Sequence, residues 1–180
     1  GASYKRLGIP GEDDFIGAGV HYCATCDGPF YRGAPNVTVI GGGNSAAEES
    51  LHLLKFAKHI HLLVWGAGLT ASKTAADSVT TNPDITIHYN AQVVEISGEH
   101  GKLSHVVYRD GTGQMQQLAT SAAFVFIGQQ PNTDFLKGTV RMNELGFIVT
   151  GHDLVHGVES PLRVPFNMET SIPGIFAAGD

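Results

Sequence analysis

The feature that most restricts the fold of this chain is a glycine-rich turn between an apolar run and an amphipathic segment. Residues 37–40, Val-Thr-Val-Ile, have the β-branched composition of a buried strand, and three glycines follow them directly. Apolar residues in 44–58 then recur close to a 3.6-residue period, which predicts a helix. A second apolar run at 60–64 predicts another strand. Strand, helix and strand in this order predict two parallel strands joined by a right-handed crossover.

The small residues in this turn have the spacing of a dinucleotide-binding fingerprint, Gly41-x-Gly43-x-x-Ala46. Gly41 permits the tight turn, Gly43 lets the backbone approach a pyrophosphate, and Ala46 keeps helix and strand close. A plain tight turn without a ligand is the alternative, but the setting between strand and helix favours nucleotide binding. The N–H groups at the helix start would face the phosphates. The predicted binding residues of the turn are therefore Gly41, Gly42, Gly43, Asn44, Ser45 and Ala46.

The rest of the chain extends this pattern into three layers. Residues 69–79 predict a second helix, and 122–127 form the continuous apolar run of a buried central strand. Strand-like segments at 85–89, 93–96 and 103–109 predict an antiparallel meander. The expected fold class is therefore α/β: a Rossmann-like three-layer nucleotide-binding domain with a parallel sheet, helices on one face and the β-meander on the other.

The chain contains two cysteines, Cys23 and Cys26. A disulfide between them would close too short a loop to stabilise the fold by much, so their spacing favours redox chemistry. A zinc site needs four ligands, and no histidine pair accompanies these cysteines, so no metal is predicted. Asp27 follows directly and is suited to protonating a leaving thiolate. Two plainer interpretations stay open: Asp27-Gly28 as a simple turn, and His21 as a partly exposed side chain without a task.

Composition excludes several classes of partner. The 180 residues are 42% hydrophobic and 16% charged, which is enough for one well-buried core. With a formal net charge of -6 and dispersed Lys and Arg, the chain has no basic stripe for nucleic acid. No run approaches the ~20 apolar residues that span a bilayer, and the N-terminus lacks a signal-like segment. We therefore expect a cytoplasmic protein without membrane or nucleic-acid partners.

Four motifs follow one another along nearly the whole chain. They are Cys-Ala-Thr-Cys-Asp-Gly at 23–28, Gly-Gly-Gly-Asn-Ser-Ala-Ala-Glu-Glu at 41–49, Phe-Ile-Gly-x-x-Pro-Asn-Thr at 126–133 and Thr-Ser-Ile-Pro-Gly-Ile-Phe-Ala-Ala-Gly-Asp at 170–180. Together they resemble low-molecular-weight thioredoxin reductases, in which an FAD domain is interrupted by an NADPH domain that carries the redox disulfide. The resemblance implies electron transfer from NAD(P)H through FAD and the disulfide to a protein disulfide.

The resemblance also implies how the chain is divided into domains. Residues 1–16 resemble a connector from an FAD domain, 17–127 the NAD(P)H-binding domain, and 128–180 a return segment towards the FAD domain. It follows that FAD is expected only in a longer parent protein, and that this chain alone is expected to be inactive without the FAD half. The implied partners are a nicotinamide nucleotide and a thioredoxin-like protein, and a homodimer is compatible with the resemblance.

Residue roles follow from the motif matches. Cys26 would lie against the flavin, Cys23 would attack the protein substrate, and Asp27 would assist the exchange. The other cofactor-binding residues implied by the motifs are Glu48, Gly128 and, at the flavin ribitol, Asp180.

One stretch departs from the family pattern. The family's His-Arg-Arg-x-x-x-Arg segment, whose arginines hold the 2′-phosphate of NADPH, aligns with residues 64–70, Val-Trp-Gly-Ala-Gly-Leu-Thr, which contain no arginine. Trp65 is expected to stack on the adenine, and Lys73 is the nearest basic residue. We therefore expect NADPH or NADH to bind with weak preference. Residues 151–168 look like an insertion, and some motifs are similar to a branch fused to regulatory domains.

Three alternatives stay open after this comparison. The missing arginines are also consistent with a flavoenzyme reduced by another donor such as ferredoxin, with an NADH-dependent disulfide reductase, or with a non-catalytic nucleotide-sensing module of a regulatory protein. Titration with NADPH and with NADH separates these alternatives best.

Overall fold

The computed structural model describes residues 1–156 and 163–179. The chain divides into two compact units: the larger unit is Lys5–Gly128, and the smaller unit combines Gly1–Tyr4 with the chain from Gln129 onward. None of the described helices is long and apolar enough to cross a membrane. The domain bounds expected from the sequence, after residues 16 and 127, stay a prediction.

The strands and α-helices of both units follow a simple order along the chain. They are β1 (Ala2–Tyr4), β2 (Val20–His21), α1 (Ala24–Asp27), β3 (Val37–Ile40), α2 (Asn44–Leu53), β4 (Ile60–Leu63), α3 (Lys73–Thr80), β5 (Ile85–His88), β6 (Gln92–Glu99), β7 (Lys102–Arg109), β8 (Met115–Ala119), β9 (Ala123–Val125) and β10 (Gln129–Pro131).

A parallel sheet forms the centre of the larger unit, with its strands in the order β2, β9, β3, β4 and β5. All neighbouring pairs are parallel, and β3 pairs along its whole length with β4, from Val37 opposite Ile60 to Ile40 opposite Leu63. The four residues of β3 are buried. Strands covered on both faces consist of continuous apolar runs, which explains why this segment was recognisable from the sequence.

Helices α2 and α3 cover one face of this sheet. Ala46 and Ala47 of α2 are fully buried and bring the helix close to the sheet, and Val79 of α3 is buried in the same core. Phe124 of β9 is the largest side chain of this core without solvent exposure. The helical face thus has a core of its own, which positions the start of α2 at the end of β3.

The meander of β6, β7 and β8 covers the other face. Its strands are antiparallel, and the buried side chains Val93, Ile96 and Val106 pack in one core with Ile40 and Leu63 from the sheet. Alternate residues of each central strand therefore enter different cores, as the two-residue period of a strand requires. The expected three-layer fold, with helices and meander on opposite faces, is confirmed.

The structure corrects two strand assignments. Residues 85–89 were expected in the meander, but β5 pairs in parallel with β4 as the edge of the central sheet. This is the pairing that a crossover through α3 requires. The third meander strand is β8, which the sequence analysis did not identify. Its residues, Met-Gln-Gln-Leu-Ala, alternate only between exposed and half-buried positions, so they lack a strong hydrophobic pattern.

Both helices are shorter than expected. The segment 44–58 is helical only to Leu53, because the following residues form turns whose backbone groups bond to the chain at 33–34. The segment 69–79 becomes helical at Lys73, where the side chain of Ser72 caps the helix by accepting a hydrogen bond from the backbone N–H of Ala75. The residues before Ser72 are used instead to contact the glycine turn.

The smaller unit contains the antiparallel pair β1 and β10 and an ion pair around a buried glutamate. The carboxylate of Glu169 accepts hydrogen bonds from the Arg163 guanidinium, at 2.6 and 2.8 Å, and from the backbone N–H groups of Phe166 and Gly174. The Arg163 hydrogen bonds, with those from the backbone, lower the pKa of Glu169 to about 2. Glu169 is therefore ionised at neutral pH and connects irregular segments of this unit.

Candidate functional site

The glycine turn after β3 is shaped by contacts that exclude side chains. Gly41 has φ of +149°, and a Cβ atom there would lie 2.3 Å from the carbonyl oxygen of Phe126. Gly43 is the N-cap residue of α2, and the nearest atom to a Cβ there would be Thr70 Oγ1, 3.9 Å away. No side chain caps this helix end. The backbone N–H groups of its first turn are thus available to an anion that approaches through the open space at Gly43.

The loop after β4 is fastened to this turn. The carbonyl oxygen of Gly42 accepts hydrogen bonds from the backbone N–H groups of Thr70, at 2.8 Å, and Ala71, at 3.1 Å. The hydroxyl of Thr70 donates a third, at 3.2 Å. In addition, the side-chain oxygen of Asn44 accepts a hydrogen bond from the backbone N–H of Ser72. These four bonds fix the loop beside the N-terminus of α2.

A cavity of about 730 Å³ opens between these segments. This volume lies in the range of cofactor sites. Its wall contains the glycine turn with the start of α2, the ends of β3 and β4, and the chain around 91–93 and 126–128. The cavity thus lies at the carboxyl ends of parallel strands, where open α/β sheets bind their ligands. The crowding at Gly41 and the open space at Gly43 fit a bound pyrophosphate.

Several predicted cofactor residues lie on this wall. Trp65 lines the cavity with 76% of its surface exposed, and the left-handed Gly128 lies on the wall as well. The members of the glycine turn and helix start that line it are Gly41, Gly42, Gly43, Asn44 and Ser45. Ala46 lies beneath them in the core, with its Cβ atom 3.0 Å from the position of a Cβ at Gly41.

Two predicted residues lie elsewhere, and a third is outside the described residues. Lys73 is not on the cavity wall, and its ammonium group pairs with Asp77 at 2.8 Å, one helical turn further along α3. Glu48 is an exposed residue of α2 and is also not part of the wall. Asp180, assigned to the flavin ribitol by resemblance, lies outside the described residues. The structure therefore brings together the predicted pyrophosphate and adenine contacts, but not Lys73 or Glu48.

One cationic residue on the wall was missed by the sequence analysis. Arg6 is the single charged residue lining the cavity within the described part of the chain. Its guanidinium contacts Asp13 at 3.2 Å and the Tyr22 hydroxyl at 3.1 Å. Tyr22 in turn donates a hydrogen bond to the buried carboxylate of Glu12, and burial together with Glu12 raises the pKa of Tyr22 to about 12. No sequence motif marks this arrangement, and residues 1–16 were interpreted only as a connector.

The two cysteines form a disulfide at the start of α1, and their Cα atoms are 5.3 Å apart. Cys23 is the N-cap residue, and its sulfur accepts a hydrogen bond from the backbone N–H of Cys26 at 3.1 Å. Cys26 is exposed and Cys23 is half-buried, so the bond is accessible from solvent. Asp27 is the last residue of this single turn, and its side chain is 30% exposed. Within the described residues, no group of three or more His, Cys, Asp or Glu side chains is arranged to hold a metal.

A buried histidine lies behind this disulfide turn. His21 Nδ1 is 3.2 Å from Asp27 Oδ2, and Nε2 is 2.6 Å from the Tyr31 hydroxyl. The side chain of His21 is 6% exposed, so the expectation of a partly exposed residue is wrong. Burial lowers the pKa of His21, and the neighbouring Asp27 carboxylate opposes this shift. Burial also raises the pKa of Tyr31. His21 is consequently a neutral imidazole at neutral pH.

Comparison with known proteins places these features in a family. The model of the pyridine nucleotide-disulphide oxidoreductase family matches residues 1–180. The chain is 40% identical over 181 residues to a thioredoxin reductase of Treponema pallidum, covering 100% of this chain and 53% of that protein. It is 36% identical over 181 residues to an NADH dehydrogenase of Bacillus subtilis, covering 100% of this chain and 32% of that protein. The chain thus spans about half the length of the first relative and a third of the second.

A solved structure is also similar to this chain. The crystal structure of Lactococcus lactis thioredoxin reductase in its FR conformation matches with a TM-score of 0.81 and 33% identity, covering 100% of this chain and 55% of that one. These likenesses favour an oxidoreductase of thioredoxin-reductase type, and they do not favour a ferredoxin-reduced flavoenzyme or a nucleotide-sensing module. Because the family model matches from end to end, the chain belongs to the pyridine nucleotide-disulphide oxidoreductase family.

Proposed function

We propose that this chain is the nucleotide-binding and disulfide-bearing part of a thioredoxin-reductase-like enzyme that reduces a protein disulfide. The observation that carries the proposal is an accessible Cys23–Cys26 disulfide in the same compact unit as a cavity shaped for a pyrophosphate. Family membership supports a pyridine nucleotide and a flavin as cofactors in general. A flavin in a longer parent protein would carry electrons from the nicotinamide to the disulfide.

The reduced cysteine pair would act by thiol-disulfide exchange. The Cys23 thiol gives its proton to the ionised Asp27 carboxylate and attacks one sulfur of the substrate disulfide. A bond forms between Cys23 and that sulfur while the substrate S–S bond breaks, and Asp27 passes the proton to the departing thiolate. Cys26 then gives its proton to Asp27, attacks the Cys23 sulfur and releases the second substrate thiolate, which takes the proton from Asp27. Two cysteine thiols are oxidised and one substrate disulfide is reduced.

The nucleotide would bind with its pyrophosphate at the N-terminus of α2. Charge-assisted and dipolar interactions with the free backbone N–H groups there stabilise an anion. The exposed ring of Trp65 on the cavity wall is suited to stacking on the adenine. The loop that fastens to Gly42 contains no arginine to hold a 2′-phosphate. We therefore propose that NADPH and NADH bind with little preference between them.

An NADH-dependent reductase is the second candidate function. The observation in its favour is the same loop, because NADH lacks the phosphate that an arginine would bind. The likeness to a protein described as an NADH dehydrogenase supports the same possibility. Calorimetric titration of the chain with each nucleotide distinguishes the candidates: dissociation constants within about tenfold of each other fit the first. A much tighter NADH complex fits the second, and tight binding of NADPH alone contradicts both.

The redox assignment has a separate test that uses the two cysteines. Purified chain should show two reactive thiols after reduction and essentially none after mild oxidation, without bound zinc. Reduced chain should transfer both electrons to oxidised thioredoxin, and the Cys23→Ser and Cys26→Ser variants should not complete the transfer. Stoichiometric zinc, or thiols that never pair, would show that the cysteines have another role.

A further inference from the structure

We propose that His21 is a positioning residue for thiol-disulfide exchange, which holds the carboxylate of Asp27 in one orientation behind the disulfide turn. Tyr31 fixes the tautomer of His21 in this arrangement. The inference rests on the proposed function, because it assigns a task to His21 through the acid role proposed for Asp27. His21 lies outside the four motifs that carry the family resemblance, so no role was carried over to it.

The position of the imidazole ring is set by the parallel sheet. His21 ends the edge strand β2 and pairs in register with Phe124 of β9. Its ring lies 5.2 Å from the Phe124 ring and 5.3 Å from the Tyr31 ring, measured between centroids. A close-packed ring in a buried position has one stable orientation. The two ring nitrogens therefore point in fixed directions, one at Asp27 and the other at Tyr31.

The partners decide which nitrogen carries the proton. An ionised carboxylate only accepts hydrogen bonds, so the contact with Asp27 Oδ2 requires a hydrogen on Nδ1. Nε2 of the neutral ring then accepts a hydrogen bond from the Tyr31 hydroxyl. The pKa directions agree with this assignment, because burial favours the neutral ring and the protonated phenol. Hydrogen bonds thus connect Tyr31 to His21 and His21 to Asp27.

The hydrogen bonds that connect Tyr31, His21 and Asp27 end at the turn that carries the disulfide. The backbone N–H of Asp27 donates to the carbonyl oxygen of Cys23 at 3.1 Å, so the carboxylate is carried by the same turn as the disulfide. A side chain held in one rotamer transfers its proton more effectively than one that samples several. Loss of the His21 contact should therefore slow the exchange step, while cofactor binding elsewhere in the unit should be unaffected.

Three substitutions at position 21 separate positioning from packing. His21→Phe retains a ring against Phe124 but has no donor for Asp27. His21→Asn places an amide N–H near the position of Nδ1, so it can retain that donor. The reaction of the reduced chain with a small aliphatic disulfide, followed by rapid quench from pH 5.5 to 9, reports the exchange rate and its pH profile, because an aliphatic thiolate leaves faster when an acid protonates it. Asp27→Asn and the double variant with His21→Phe complete a thermodynamic cycle.

We expect His21→Phe to lower the exchange rate about tenfold, His21→Asn to stay within about threefold of the unmodified chain, and the double variant to be no slower than Asp27→Asn. The pH profile of His21→Phe should resemble that of Asp27→Asn. An unchanged rate in His21→Phe beside a slow Asp27→Asn would overturn this inference alone. Equal rates for Asp27→Asn and the unmodified chain would overturn the acid role of Asp27, and the inference with it.

A measurement on the unmodified chain does not depend on whether any variant folds. Long-range proton–nitrogen NMR of the imidazole distinguishes the two neutral tautomers and the imidazolium. The oxidised chain at pH 7 should show His21 with its proton on Nδ1. A proton on Nε2 would contradict the donor direction that the proposal requires. Tyr31→Phe should leave the exchange rate within about threefold of that of the unmodified chain and should shift the Nε2 resonance of His21. The reason is that only the hydrogen bond between Tyr31 and His21 is removed, while the contact with Asp27 remains.

Discussion

The two turns at the carboxyl ends of β3 and β4 face the same cavity but are determined by different parts of the chain. The turn after β3 requires glycine, because a side chain at Gly41 would collide with the backbone at Phe126. The turn after β4 is held by hydrogen bonds to the carbonyl oxygen of Gly42, and its Trp65 side chain is exposed. In the proposed function, the first turn would bind what all dinucleotides share, and the second would determine which dinucleotide is preferred.

The largest effect is expected from a side chain at the first turn. Gly41→Ala introduces a Cβ atom 2.3 Å from the Phe126 carbonyl oxygen, in a backbone conformation that favours glycine. We expect the free energy of unfolding to fall by about 3 kcal/mol or more, measured by urea denaturation. Nucleotide binding should be lost together with stability.

Gly43→Ala is the matched control for this change. Gly43 has an extended backbone conformation and open space beside it, so alanine costs about 1 kcal/mol, the loss expected when alanine replaces a better N-cap residue. The variant should fold but bind both nucleotides more weakly, because its methyl group enters the space of the pyrophosphate. A Gly41→Ala variant as stable as Gly43→Ala would contradict the conclusion that the turn after β3 requires glycine at position 41.

An intermediate effect is expected from a cation at the second turn. An arginine that makes two charge-assisted hydrogen bonds to a phosphate contributes about 1.5 to 3 kcal/mol. Trp65→Arg should therefore strengthen NADPH binding by about tenfold to a hundredfold. It should leave NADH nearly unchanged, because the planar guanidinium can stack on the adenine in place of the indole. Calorimetry with both nucleotides measures the two constants, and Trp65→Ala is the control, which should weaken both equally through the lost stacking. Strong NADPH preference in the unmodified chain would contradict this prediction and would direct attention to Arg6 or Lys73.

The smallest effect is expected at Lys73. Its side chain is 88% exposed and paired with Asp77, and a surface pair of this kind contributes little to stability. We expect Lys73→Ala to change the free energy of unfolding by less than about 0.5 kcal/mol and the NADPH dissociation constant by less than about twofold. Arg6→Ala provides the comparison on the cavity wall. A large loss of NADPH affinity in Lys73→Ala would show that this residue leaves Asp77 to bind the phosphate.

The fold was predictable where burial imposes a pattern. The buried strand β3 and the helix start after it combine a continuous apolar run with obligatory glycines, and both are visible in the sequence. The third meander strand β8 was not predictable, because a strand with exposed and half-buried residues has no strong alternation. Helix ends depended on tertiary hydrogen bonds, such as those from Thr70 and Ala71, which no local pattern contains.

The residues of the candidate site also differ in whether the sequence predicts them. The disulfide pair and the glycine turn were predictable because the chemistry of each depends on residues close together in sequence. The environment of His21 was not, since Asp27 and Tyr31 approach it from α1 and from the turn that follows, and Phe124 comes from a distant strand. The contribution of Arg6 to the cavity wall also depends on the tertiary fold. Long-range contacts of single polar side chains leave no periodic trace in a sequence.

The three hydrogen bonds accepted by the carbonyl oxygen of Gly42 have a consequence for how this protein can evolve. Two of the donors are backbone N–H groups, which every residue except proline provides, so the position of the loop depends little on its side chains. Substitutions at exposed positions of this loop, such as Trp65, can therefore accumulate without disturbing the fold. Cofactor preference in such a scaffold can drift, or be redesigned, by changes confined to one loop.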